Sequence, residues 1–129
     1  MQLLKNNKCF IYSNHFNLKE AYEQDQESIT KTFSTFNFDV ANNINTNLTA
    51  NEMKTSIKQE VFDRDYSKED CVVLFFLSHG DEGGKIYGDD KEFIEVDWVV
   101  DGLQDTPSLH GKPKIVFIQV HMSYMIYYL

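Results

Sequence analysis

Cys71-Val72-Val73-Leu74-Phe75-Phe76-Leu77-Ser78-His79-Gly80 is the stretch that decides the fold. Its apolar run falls far short of the roughly 20 residues of a membrane span. It is also too continuous for a strand with one face in water. β-branched and aromatic residues dominate it, so it reads as a strand buried on both faces, as in parallel sheets covered by helices. Gly80, Gly83, Gly84 and Gly88 mark turns after it.

Outward from this strand the chain alternates. Lys114-Ile115-Val116-Phe117-Ile118-Gln119 is a second buried strand, and Lys8-Cys9-Phe10-Ile11-Tyr12-Ser13 a third. Residues 14–18 read as a loop. Residues 20–37 read as a helix, with Ile29, Phe33 and Phe36 at i, i+4, i+7 on one face. Phe38-Asp39-Val40-Ala41 suits a short strand, which the asparagine-rich residues 42–47 break. Thr49-Ala50-Asn51-Glu52 fits a capping box and opens a second helix with Met53, Ile57 and Val61 on its inner face. The charged residues 63–70 end that helix. Val96, Val99, Val100 and Leu103 indicate a third helix, and Pro107 and Pro113 lie in the connection after it. This pattern predicts an α/β fold, a mostly parallel sheet with helices on both faces.

Composition agrees. The 129 residues suffice for one domain, with 42% hydrophobic and 25% charged residues, a globular mixture. Asp plus Glu outnumber Lys plus Arg by 20 to 12, which argues against a general nucleic-acid binder. No signal peptide or membrane span is read from the sequence, so no membrane partner is expected. Cys9 and Cys71 form neither a disulfide framework nor a zinc spacing, and a reducing, cytoplasmic location is expected.

In open parallel sheets, sites form beyond the carboxyl ends of the strands. Two buried strands end there in histidines: one runs into Ser78-His79-Gly80, the other into Gln119-Val120-His121. A histidine leaving a strand on a glycine turn can act as a general base, and the adjacent glycine N–H can face an oxyanion. For Ser-His-Gly taken alone, a loop hydrogen bond is the better reading.

Wider context changes that balance. Leu77-Ser78-His79-Gly80-Asp81-Glu82-Gly83, Ile86-Tyr87-Gly88, Ser108-Leu109-His110-Gly111-Lys112-Pro113-Lys114 and Phe117-Ile118-Gln119 together closely resemble the caspase family. Upstream, residues 25–33 and 47–53 resemble the first two helices of the caspase large subunit. The resemblance covers residues 8–119, between an N-terminal extension at 1–7 and a divergent aromatic tail at 120–129. It implies a caspase–haemoglobinase-like fold, incomplete here, and descent from a cysteine endopeptidase that cuts after aspartate in apoptotic proteolysis. On that resemblance His79 is the catalytic base, Gly80 an oxyanion donor and Gln119 part of the aspartate pocket. No cofactor and no metal is implied.

Departures from the pattern are concentrated at the chemistry. The family's nucleophilic cysteine stands two residues after the glutamine, and here that residue is His121, expected to be non-functional. Imidazole does not replace a thiolate in forming a thioester. Ser123 lies too far along to inherit the role. A metal shared by His79 and His121 lacks a third ligand and is disfavoured. Cys71 and Cys9 read as small apolar residues in strands. Lys19 best matches the family's pocket arginine and reads equally as a surface lysine; it keeps the charge but not the bidentate fork. Glu20 and Glu23 beside it oppose an acidic substrate.

After Gln119 the family match ends, and the small subunit is expected to be absent from this chain. The last buried strand would then leave an apolar edge, which the tail either covers or leaves open. Valine codons begin with GT, as do most intron donor sites, so read-through at Val120 is one expectation; continuation of the family sequence in downstream genomic DNA tests it. Three readings follow: a caspase-like protease, inactive as this chain; a noncatalytic regulator or decoy; a truncated or mis-spliced product. Expected partners are a caspase small subunit or full-length caspases, as a homo- or heterodimer, with protein substrates if it is active.

Overall fold

The computed structural model describes residues 7–14, 19–78, 83–120 and 123–129. The decisive apolar run forms β4 (Val72–Leu77), with every side chain buried. Cys71 lies just before it, half-buried. β4 sits at the centre of a sheet and pairs in parallel with two strands. β1 (Asn7–Ser13) lies on one side and β7 (Lys114–Val120) on the other. The register aligns Lys8 with Val72 and Ser13 with Leu77, and Val72 with Lys114. Beyond β1 lie two short parallel strands, β2 (Phe38–Asp39) and β3 (Ile44–Thr46). Beyond β7 lies β8 (Ser123–Tyr128), which is antiparallel, giving the order β2-β1-β4-β7-β8 with β3 also on β1 among the described residues.

Alternation along β4 divides the core in two. Val72, Leu74 and Phe76 face α2 (Ala50–Ser56), the π-helical turn Ile57–Phe62 that continues it, and α3 (Val96–Gln104). Val73, Phe75 and Leu77 face α1 (Lys19–Thr35) through Tyr22, Ile29 and Phe33. Helices therefore cover both faces, as the continuous apolar run requires. Burying one side chain such as Phe76, which is fully enclosed, contributes about 2–3 kcal/mol. The capping box forms as expected: Glu52 N–H donates to Thr49 Oγ1 at 3.1 Å, and Thr49 N–H to Glu52 Oε1 at 2.9 Å. Met53, Ile57 and Val61 are buried below it.

Three expectations change, and the open question of the tail is decided. Phe36 does not share the inner face of α1, because the helix stops at Thr35 and Asn37 adopts a left-handed φ of 64°; Phe36 is 67% exposed. Residues 42–47 are more than a break, since Ile44 brings β3 onto the second half of β1 and packs against the α1-side core. The glycine-rich stretch after β4 carries an antiparallel hairpin, β5 (Lys85–Tyr87) with β6 (Phe93–Glu95), whose Ile86 and Ile94 are buried. Finally, the β7 edge is not left unpaired. The tail covers it as β8, from Ile115 opposite Tyr128 to Val120 opposite Ser123, and Met125, Tyr127 and Leu129 pack against the larger core.

The hairpin tip is seated on the start of α2. Asp90 Oδ1 accepts from Ala50 N–H at 3.1 Å and Asp89 N–H donates to Leu48 O at 2.7 Å. Gly88 permits this approach: a Cβ there would stand 2.3 Å from the Ala50 nitrogen.

Candidate active site

β1, β4 and β7 run parallel and side by side, so Ser13, Leu77 and Gln119–Val120 lie at the same end of the sheet. This is the carboxyl end, where the strand order predisposes a site. His79, Gly80 and His121 follow directly from β4 and β7 but lie outside the described residues. The residues that precede them in β4 and β1 belong to a hydrogen-bonded platform.

Its hub is Asn14, which the sequence pattern assigns to a loop. It is buried just past β1. Its N–H donates to Leu77 O at 2.9 Å, and its Oδ1 accepts from Leu48 N–H at 2.9 Å. Its Nδ2 donates to Tyr87 O at 3.1 Å and reaches Ser78 Oγ at 3.4 Å. Ser78, also buried, donates its hydroxyl to the same Tyr87 carbonyl. The ends of β1 and β4, the start of α2 and the β5 strand are thus locked together by one amide. Buried polar groups need such partners, and a fully satisfied network holds one arrangement. The residue before His79 is therefore held in place. The only sequence signal for Asn14 was its polarity at the end of a strand whose apolar core is buried.

Gln119 lies in β7, half-buried, opposite Tyr124. Its Oε1 is buried and has no hydrogen-bond partner among the described residues, and the same holds for Ser13 Oγ. Burial first, then the Asp25 carboxylate, raises the phenols of Tyr22 and Tyr124. Lys19 is the first residue of α1 and is exposed, with exposed Glu20 and Glu23 beside it.

The two thiols lie elsewhere. Cys9 is in the first half of β1, aligned with Val73, and Cys71 precedes β4; both are toward the amino end of the sheet. Burial, with a smaller push from Cys71, takes the Cys9 thiol up to about 12. Burial and then Asp70 raise Cys71.

Comparison with known proteins fits this framework. A family model described as the caspase domain matches residues 5–123. Human Caspase-9 is 32% identical over 125 residues, which is 91% of this chain and 29% of that protein. Mouse Caspase-8 is 35% identical over 97 residues, 74% of this chain and 19% of that protein. A "Caspase-like protein" of Trichoplusia ni ascovirus 2c is 32% identical over 124 residues, 93% of this chain and 49% of that protein. The chain spans between about a fifth and a half of these relatives. No helix among the described residues is long and apolar enough to cross a membrane. With the domain match running through nearly all of a mostly parallel, helix-covered sheet, this chain belongs to the caspase family.

Proposed function

We propose that this chain is a noncatalytic caspase-family protein, one that carries the large-subunit framework of a cysteine endopeptidase without hydrolysing peptides itself. The observation that carries this reading is the placement of its thiols. Acyl transfer needs a thiolate at the carboxyl end of the sheet, beside the base and the oxyanion donor. Cys9 and Cys71 stand toward the opposite end, and burial disfavours the thiolate of each. Position 121, two residues after Gln119, is histidine.

Within this reading His79, Gly80 and Gln119 retain the positions of base, oxyanion donor and pocket residue, while His121 supplies no nucleophile. Lys19 offers one exposed positive charge among acids, a poor clamp for an aspartate side chain. The platform of Asn14 and Ser78 then supports a recognition surface rather than a reaction. Incubation of the purified chain with a chromogenic aspartyl peptide tests this, and the expected release is that of buffer alone. Turnover by the wild type that disappears in His79→Ala would overturn it.

A further inference from the structure

An open groove of about 480 Å³ runs between α3 and the π-helical turn that continues α2. Its floor is aromatic. Trp98 and Phe62, both half-buried, meet at a ring-centroid distance of 5.1 Å. Phe62 reaches the α3 backbone because residue 102 is glycine; a Cβ there would stand 2.1 Å from its ring. Trp98, Asp101, Gly102 and Asp105 recur at i, i+3, i+4 and i+7, so they share one face of the helix. Thr106 Oγ1 donates to Phe62 O at 3.5 Å, which brings their neighbours Asp105 and Asp63 to one end of the groove.

Charge is unbalanced at that end. Asp63, Asp101 and Asp105 are exposed, and none of them forms an ion pair with a described residue. Asp101 lies in the last turn of α3 and Asp105 at its C-cap, and that turn holds no basic residue. The carbonyl end of a helix carries partial negative charge, so acids there cost stability that an arriving cation would restore. A separate contact shows what the aromatic floor accepts: Lys54 Nζ lies 5.1 Å from the centre of the Trp98 ring.

We propose that this groove docks an arginine-bearing segment of a partner protein, the arginine stem lying along Phe62 and Trp98 and its guanidinium among Asp63, Asp101 and Asp105. Long basic side chains bury their stems on apolar surface while the charged head stays with its counter-ions. Arginine fits better than lysine. Its planar fork can engage two carboxylates at once, and Asp101 and Asp105 stand one helical turn apart, about 5–6 Å between Cβ atoms. A free cation would use the carboxylates and leave the aromatic floor in water, whereas a chain segment covers both. Lys54 and Lys58, toward the Trp98 end, repel further positive charge and confine the partner's cation to the carboxylate end. The docking stands whether or not the chain hydrolyses peptides.

Trp98 is the one tryptophan of the chain, so its emission reports on the groove directly. Titration of the full chain with a blocked Leu-Ala-Ala-Arg-Arg peptide should change that emission saturably. The Leu-Ala-Ala-Lys-Lys counterpart and free arginine should bind more weakly. Asp101→Asn combined with Asp105→Asn should weaken peptide binding about fivefold, with unchanged far-UV circular dichroism. Glu27→Gln combined with Glu92→Gln removes the same charge from exposed sites elsewhere and should leave binding within about twofold. If the aspartate double variant fails to fold, Asp63→Asn on the opposite wall provides the same comparison. No saturable change in emission, equal binding of the lysine peptide or of free arginine, or an equal loss in both double variants would each overturn the proposal.

Discussion

Among the described residues at the carboxyl end of the sheet, Asn14 joins β1, β4, β5 and the start of α2 through one side chain and its backbone. Removing its amide strands the Leu48 N–H and takes a donor from the Tyr87 carbonyl. A buried group left unpaired costs about 1–3 kcal/mol. Asn14→Ala should therefore lower stability by about 2–3 kcal/mol in urea unfolding, whereas Ser67→Ala, on an exposed turn, should stay within about 0.5 kcal/mol. Cys9 gives a pH-dependent expectation. Its ordinary pKa is 9.0 and burial raises it to about 12. A raised folded-state pKa means that the stabilising proton is fully held below about 9 and lost as pH rises toward 12. Stability should fall across that window by up to about 1.4 kcal/mol per pH unit for this group. Cys9→Ala should show a shallower decline in urea midpoint between pH 8 and pH 10. An equal slope would mean that the thiol is not protonated by its burial.

At the level of elements, the strands with their own burial signature were legible and those that borrow stability from neighbours were not. β4 and β7 announce themselves by apolar runs, and α2 by a cap that the structure reproduces atom for atom. β3 hides among asparagines because only Ile44 contributes to the core, and its pairing with β1 is a tertiary event. Phe36 fits the helical spacing but lies past Thr35, where the helix ends; Asn37, able to take a positive φ, is the signal for that end. The β5–β6 hairpin is masked in the sequence by the glycines around it, although Ile86 and Ile94 alternate with polar or exposed neighbours. The candidate site divides in the same way. Gln119 stands out in the sequence by its motif, whereas Asn14 has meaning only once β1, β4 and α2 converge on it. The hairpin's docking supplies a test of this convergence. Gly88→Ala would press a methyl group to 2.3 Å from the Ala50 nitrogen, where backbone must move. Overpacking of this kind costs about 1–3 kcal/mol, so the variant should unfold earlier in urea by that amount. Thr49→Ala, which removes only the cap, should cost about 1 kcal/mol.

For the whole molecule, the question is whether residues 123–129 belong to the folding unit or merely decorate it. Two observations make them integral. They pair with β7 along its length, and Met125, Tyr127 and Leu129 close the side of the larger core that also holds Val116 and Ile118. On the other face, Tyr124 packs edge-on against Phe75 and Phe117, at ring-centroid distances of 6.3 and 6.4 Å. A chain ending at Val120 would lose these contacts and expose the N–H and C=O groups of an apolar strand, the condition that invites uncontrolled edge pairing. Three half-buried apolar side chains account for a loss on the order of 3 kcal/mol. For a domain of this size that corresponds to a fall in Tm of about 10 °C. The shortened chain should also bind a hydrophobic dye and sediment as polydisperse aggregate, in contrast to the full chain. A shortened chain that stays monodisperse with an unchanged Tm would show that the core closes without β8, and would remove the basis for treating that strand as part of this caspase-family sheet.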